Sequence, residues 1–179
     1  MSLRTHSLFD DVERSYLAFH GRRSGGCREP VDAPPGLSAA RSGHPVAAAV
    51  ALDERAATDG VEAIAPLYGL CIPMKGTAAV VDFPAGSGVG VLSGYVPTKD
   101  SDLTALIKQR NGVIFGCTNV PEFAANWVTA NPASGHTRNT YNHKFTVGGS
   151  SGGSASAVAS YMCPIAVTED TGGSTRVPA

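Results

Sequence analysis

Two turns rich in glycine and serine stand late in this chain: Gly148-Gly149-Ser150-Ser151-Gly152-Gly153 and Asp170-Thr171-Gly172-Gly173-Ser174. A serine hydroxyl attacks a carbonyl only when a base takes its proton and donors stabilise the developing oxyanion. The successive N–H groups of Thr171, Gly172, Gly173 and Ser174, two of them without side chains, suit a concave donor array with Ser174 inside it. The base must be sought upstream. All five histidines, His6, His20, His44, His136 and His143, precede both serine turns, whereas a serine elbow of the Ser, acid, His order needs its histidine afterwards. Lys75 closes the apolar run LYGLCIPM at 67–74, and it is the natural candidate because desolvation favours a neutral amine.

Three other readings of the first turn are weaker. A flexible linker would not abut an apolar strand pattern on one side and the small-residue helix pattern SASAVASYM on the other. A phosphate cradle lacks the Gly-Lys-Ser or Gly-Lys-Thr that should follow. The nucleophile elbow matches Gly148-x-Ser150-x-Gly152 and Gly149-x-Ser151-x-Gly153, but fails on chain order as above. Around the two turns, Ser151 and Ser154 read as donors at the turn and the helix start. Asp170 and Arg176 bracket the second turn and read as a pair bracing it. His136, Arg138 and His143 fall in a polar loop at 131–143, where solvation is the simpler reading. Neither of these histidines has a ligand partner at metal-binding spacing, so no metal and no cofactor is expected. Cys27, Cys71, Cys117 and Cys163 form no Cys-x-x-Cys pair and read as structural thiols.

The elements that must hold these groups alternate between strand and helix. The run VAAAVAL from Val46 reads as a strand, and DERAATDG after it as a short helix. LYGLCIPM reads as a buried strand. Residues 98–112 give a helix signal, with Asp100 or Ser101 as cap, Leu103, Leu106 and Ile107 on one face and Gly112 as terminator. VIFG at 113–116 follows as a strand, TNVPEFAA at 118–125 restarts a helix behind Pro121, and residues 164–167 read as one more strand. This alternation predicts an α/β fold, a mixed β-sheet flanked by helices.

Composition removes several classes. With 14 Lys and Arg against 15 Asp and Glu, the net charge of −1 does not favour direct nucleic-acid binding. No apolar stretch approaches a membrane span, and Met1 to Asp11 has no signal-like apolar core. A soluble, cytoplasmic chain without membrane contact is expected. Residues 21–45 mix Gly, Pro, Ser and Arg with few bulky apolar groups, so 1–44 is expected to be a poorly ordered segment or linker and 45–179 the folded unit.

The blocks GGSSGGSASAVAS at 148–160 and TEDTGGSTRVPA at 168–179 resemble the amidase signature hydrolases. PLYGLCIPMKGT at 66–77 and GCTNVPEFA at 116–124 extend the resemblance, which covers about 45–179. It implies the amidase signature fold and a Ser, cis-Ser, Lys triad: Ser174 as nucleophile, Ser150 as bridging serine after a cis peptide, and Lys75 as terminal base. Two positions depart from the family pattern. Gly76-Thr77 stands where an Asp commonly follows the lysine, and Glu169 where a Thr or Ser is usual. Family members generally run several hundred residues, so the fold is expected to be incomplete and the sequence a truncated, N-terminal part. The implied activity is hydrolysis of a non-peptide carbon–nitrogen bond in a small amide, without cofactor, and a homodimer is one assembly open to it. The glutaminase subunit of a tRNA-dependent amidotransferase is the alternative within the family. A non-catalytic remnant is the alternative outside it.

Overall fold

The computed structural model describes residues 37–38, 44–60 and 66–179. Most of the segment expected to be poorly ordered, 1–44, and with it Cys27, lies outside the described residues. At its centre is a small mixed sheet of three strands, β1 (Leu37–Ser38), β2 (Met74–Lys75) and β3 (Cys117–Thr118), in the order β1-β3-β2. β1 runs antiparallel to β3, while β2 is parallel to it with Met74 opposite Cys117 and Lys75 opposite Thr118. The parallel pair extends past its named ends. Ile72 N–H donates to Val113 C=O at 2.8 Å, Met74 N–H to Gly116 C=O at 2.9 Å and Gly76 N–H to Thr118 C=O at 3.0 Å. Residues 71–76 and 112–121 are buried throughout, as parallel strands covered on both faces must be.

Among the described residues, three α-helices surround these strands: α1 (His44–Asp59), α2 (Asp102–Gln109) and α3 (Gly152–Ala159). Alternation along the strands splits the core in two. Cys71, Val113 and Phe115 pack with Ala49 and Leu52 of α1, Ala157 of α3 and Cys163. Ile72, Met74 and Ile114 pack with Ile107 of α2, Val80, Phe83 and Cys117. Fully burying a side chain such as Phe115 contributes about 1.5–3 kcal/mol. The α/β class and the mixed, helix-flanked sheet are therefore as the alternation predicts.

Several elements differ from expectation. VAAAVAL is the first half of the 16-residue helix α1, not a strand. Two valines suggested β structure, but the run holds four alanines, the best helix former. The helix ends at Gly60, whose φ of +87° suits glycine and whose N–H reaches Ala56 C=O at 3.0 Å. In α2, capped by the Ser101 hydroxyl, the buried residues are Thr104 and Ile107, whereas Leu103 and Leu106 are exposed. Thr104 can be buried because its hydroxyl donates to Ala79 C=O at 2.8 Å. The helix expected at 118–125 shrinks to a single 3₁₀ turn at Glu122–Ala124, since Phe123 and Ala124 take positive φ. The loop at 131–143 begins in a hairpin between β4 (Ala130–Asn131) and β5 (Gly135–His136). Residues 164–167 form no strand, although Val167 N–H donates to Pro73 C=O at 3.0 Å.

Candidate active site

Lys75 ends β2 with its side chain turned inward and 1% exposed. Its Nζ lies 2.8 Å from Ser150 Oγ, 3.2 Å from the Glu169 carbonyl oxygen and 3.4 Å from Glu169 Oε1. Burial pushes its pKa below the ordinary lysine value, because an ammonium loses hydration there. The carboxylates of Glu169 and Asp170 pull in the opposite direction.

Ser150, fully buried, sits on the glycine-rich turn that enters α3. The Gly149–Ser150 peptide is cis, as the family resemblance implies. Side-chain-free positions let this turn lie against its neighbours. A Cβ on Gly153 would meet Asn119 N at 2.5 Å, and one on Gly152 would overlap the Thr129 hydroxyl. Thr129, buried and overlooked by the sequence reading, staples the turn. Its Oγ1 donates to Gly148 C=O at 2.8 Å and accepts from Gly152 N–H at 3.1 Å. Below α3, Ser154 Oγ pairs with Thr118 Oγ1 at 2.7 Å and reaches Val167 C=O at 2.9 Å. Thr118 falls within the 116–124 block but nothing there singles it out, and Thr129 carries no periodic or motif signal, which is why spacing alone does not find them.

Ser151 joins the two serine turns. Its N–H donates to the Ser174 carbonyl at 3.0 Å, and its hydroxyl donates to the Glu169 carbonyl at 3.3 Å. Ser174 is half-buried, and its hydroxyl makes no hydrogen bond to another described residue. Lys75 and Ser150 are thus in direct contact, while Ser174 is tied to the same turn through the backbone.

Asp170 closes the second turn on itself. Its carboxylate accepts from the N–H groups of Gly173, Thr175 and Arg176 at 2.7, 2.9 and 3.1 Å, and from Arg176 Nε and Nη2 at 3.0 and 2.9 Å. The Arg176 guanidinium, followed by these backbone donors, holds the Asp170 carboxyl well below the usual carboxylate range. Arg176 is correspondingly raised by its bond to Asp170. One correction follows for the donor array. Gly173 N–H is taken by Asp170, which leaves Thr171, Gly172 and Ser174 as the N–H groups without an acceptor among the described residues. Gly173 itself is buried at φ +117°, a conformation that favours glycine.

Other sequence candidates stand apart. His136, Arg138 and His143 are exposed on and after the hairpin. Among the described residues no group of three or more His, Cys, Asp or Glu is placed to hold a metal ion. Cys71, Cys117 and Cys163 are buried and form no disulfide among the described residues, and burial pushes the thiols of Cys117 and Cys163 up to about 12. No described helix is long and apolar enough to cross a membrane. A cavity of about 150 Å³ between the 86–93 turn and residues 117–120 is lined by Gly76, Thr118, Asn119 and Ser134 among others, and by none of Lys75, Ser150 and Ser174.

Known proteins resemble this chain both in sequence and in fold. A glutamyl-tRNA(Gln) amidotransferase subunit of Acidothermus cellulolyticus is 40% identical over 149 residues, which cover 83% of this chain and 27% of that protein. The corresponding protein from Desulforapulum autotrophicum is 43% identical over 74% of this chain and 26% of its own length. The chain therefore spans about a quarter of the length of the curated relatives it matches. Among solved structures, a bacterial aryl acylamidase of the amidase signature enzymes superposes with TM-score 0.80 at 27% identity, over 97% of this chain and 34% of that one. Fatty acid amide hydrolase, at 22% identity, shares the fold with TM-score 0.81 over 97% of this chain and 29% of its own. The amidase family model matches residues 38–179, the stretch that holds both serine turns and Lys75, and the chain belongs to that family.

Proposed function

We propose that this chain carries the catalytic residues of an amide hydrolase, with Ser174 as nucleophile, Ser150 as proton relay and neutral Lys75 as base. The observation that carries the reading is the 2.8 Å contact between a buried lysine amine and a buried serine hydroxyl. A lysine has little reason to lie 1% exposed unless its amine is used, since burial works against the charged form. In the acylation step Ser174 Oγ bonds to the amide carbon while its proton passes to Ser150, whose own proton moves to Lys75 Nζ. The relay then runs backward, protonating the amide nitrogen as the C–N bond breaks and the amine leaves. Water hydrolyses the acyl-serine by the same path, returning the acid and free Ser174. The N–H groups of Thr171, Gly172 and Ser174 hold the oxyanion, each contributing on the order of 2.7–4 kcal/mol to the transition state. Ser151 keeps the two turns in register, and Asp170 and Arg176 brace the second turn. No cofactor enters any step, and the substrate is a small non-peptide amide.

A second reading is favoured by the curated relatives. Identity of 36–43% to subunits of a glutamyl-tRNA(Gln) amidotransferase makes glutamine the first amide to test, and membership in such an assembly would imply protein partners. Release of ammonia or amine from glutamine, a primary alkyl amide and an aryl anilide, each against a Ser174→Ala control, tests both. Hydrolysis of the anilide or alkyl amide by the isolated chain supports the amidase. Glutamine hydrolysis that appears only with added partner subunits supports the amidotransferase reading. Absence of turnover on every substrate in both settings rejects catalysis by this chain.

A further inference from the structure

Glu169 faces the proposed base in two ways at once. Its backbone carbonyl lies 3.2 Å from Lys75 Nζ and also accepts from the Ser151 hydroxyl, which fixes the main chain beside the amine. Its carboxylate, on a side chain 55% exposed, reaches in to 3.4 Å from the same Nζ, whose side chain is 1% exposed. A carboxylate at the solvent edge keeps much of its hydration while acting on an amine that has lost its own. The other charged group that acts on Lys75 is Asp170, and its carboxylate is already engaged by five donors from Gly173, Thr175 and Arg176. Thr118, opposite Lys75 across the sheet, is uncharged, as are Ser150 and Ser151 at the start of α3.

We propose that Glu169 is a positioning residue that sets the charge state of Lys75, holding its amine protonated over a span of pH in which the same buried site without that carboxylate would leave it neutral. The site then gains its base at a higher pH than burial alone would give, and a ligand that neutralises or displaces the Glu169 carboxylate releases the base. The functional consequence rests on the reading of Lys75 as base, whereas the charge coupling itself does not.

The coupling is measured directly by carbon NMR of the lysine ε-carbons in the full chain, with the Lys75 resonance assigned by its loss in Lys75→Met. Replacement Glu169→Gln should lower the midpoint of the Lys75 titration by about one pH unit, and Glu169→Asp by less. In the unsubstituted chain, salt near about 1 M should lower the midpoint too, and it should have little effect in Glu169→Gln. An unchanged midpoint in Glu169→Gln, or a salt response as large in that variant as in the parent, overturns the proposal. The salt arm needs no variant to fold. A midpoint that moves while no serine probe ever labels Ser174 sinks the hydrolase reading and leaves the coupling intact. Labelling of Ser174 with an immobile midpoint does the reverse.

Discussion

Ser151 N–H donates to the Ser174 carbonyl at 3.0 Å, so two turns separated by a helix and an extended segment are locked at one backbone contact. That contact sets Ser174 beside the turn carrying Ser150, whose hydroxyl meets Lys75 on the far side. A proton relay requires such rigidity, because misplacement by an ångström costs far more than a small change in basicity.

The fit of the first turn depends on missing side chains. In Gly153→Ala the new Cβ would lie 2.5 Å from Asn119 N and 2.6 Å from its carbonyl oxygen, both backbone atoms that cannot swing away. The expected loss is about 1–3 kcal/mol of folding stability, read from urea denaturation midpoints. An unshifted midpoint would show that the turn is looser than described.

Thr129 holds the same turn by hydrogen bonds. Thr129→Val keeps the shape and leaves Gly152 N–H and Gly148 C=O without their side-chain partner, which costs about 1–3 kcal/mol. Thr129→Ser retains the hydroxyl and should restore most of the stability. Serine-probe labelling should fall in the valine variant and recover in the serine variant.

Asp170 gives an acid-side signature. Its carboxyl is held below the usual range when folded, so its contribution to stability is present above the unfolded value, roughly 3.9, and is lost as pH falls toward the folded one. The stability difference between the parent chain and Asp170→Asn should be constant near neutrality and narrow below about pH 4. Thermal melts of both proteins from about pH 2 to about pH 7 check this, and a gap that persists at the acid end contradicts it.

Lys75 gives the alkaline-side counterpart, with a slope of the same sign. Its lowered pKa means that the folded state binds fewer protons than the unfolded chain between the two values. Stability and base capacity should therefore both rise as pH climbs through that window, below the ordinary lysine value near about 10.4. The rate of serine labelling against pH should show this rising limb, and a flat profile would mean that Lys75 titrates elsewhere or not at all.

Much of the site was legible because its chemistry is written in residue types. Two Gly-Ser turns, a lysine closing an apolar run and histidines on the wrong side of the serines suffice to suggest a lysine base, whereas the relay through Ser150 is what the family resemblance implies. The fold was legible where burial is continuous, as at 71–76 and 113–118. It was obscured where propensity and pattern disagreed. Val46 and Val50 suggested a strand in what alanine makes a helix, and Leu103 and Leu106 suggested a buried face where a hydrogen-bonded threonine is the buried residue. The claim of Asp170 on Gly173 N–H was hidden for another reason. Sequence spacing shows that an acid stands near a donor array, but not which donor it removes.

The most direct measurement is to map the adduct of a fluorophosphonate probe by mass spectrometry in the parent chain, Ser174→Ala, Ser150→Ala and Lys75→Met. The expected result is a single adduct on Ser174 in the parent, none in Ser174→Ala, and labelling slowed by roughly 10²–10⁴ in the other two. An adduct on a different residue, or Ser174 labelling undiminished in folded Lys75→Met, would contradict the proposed relay.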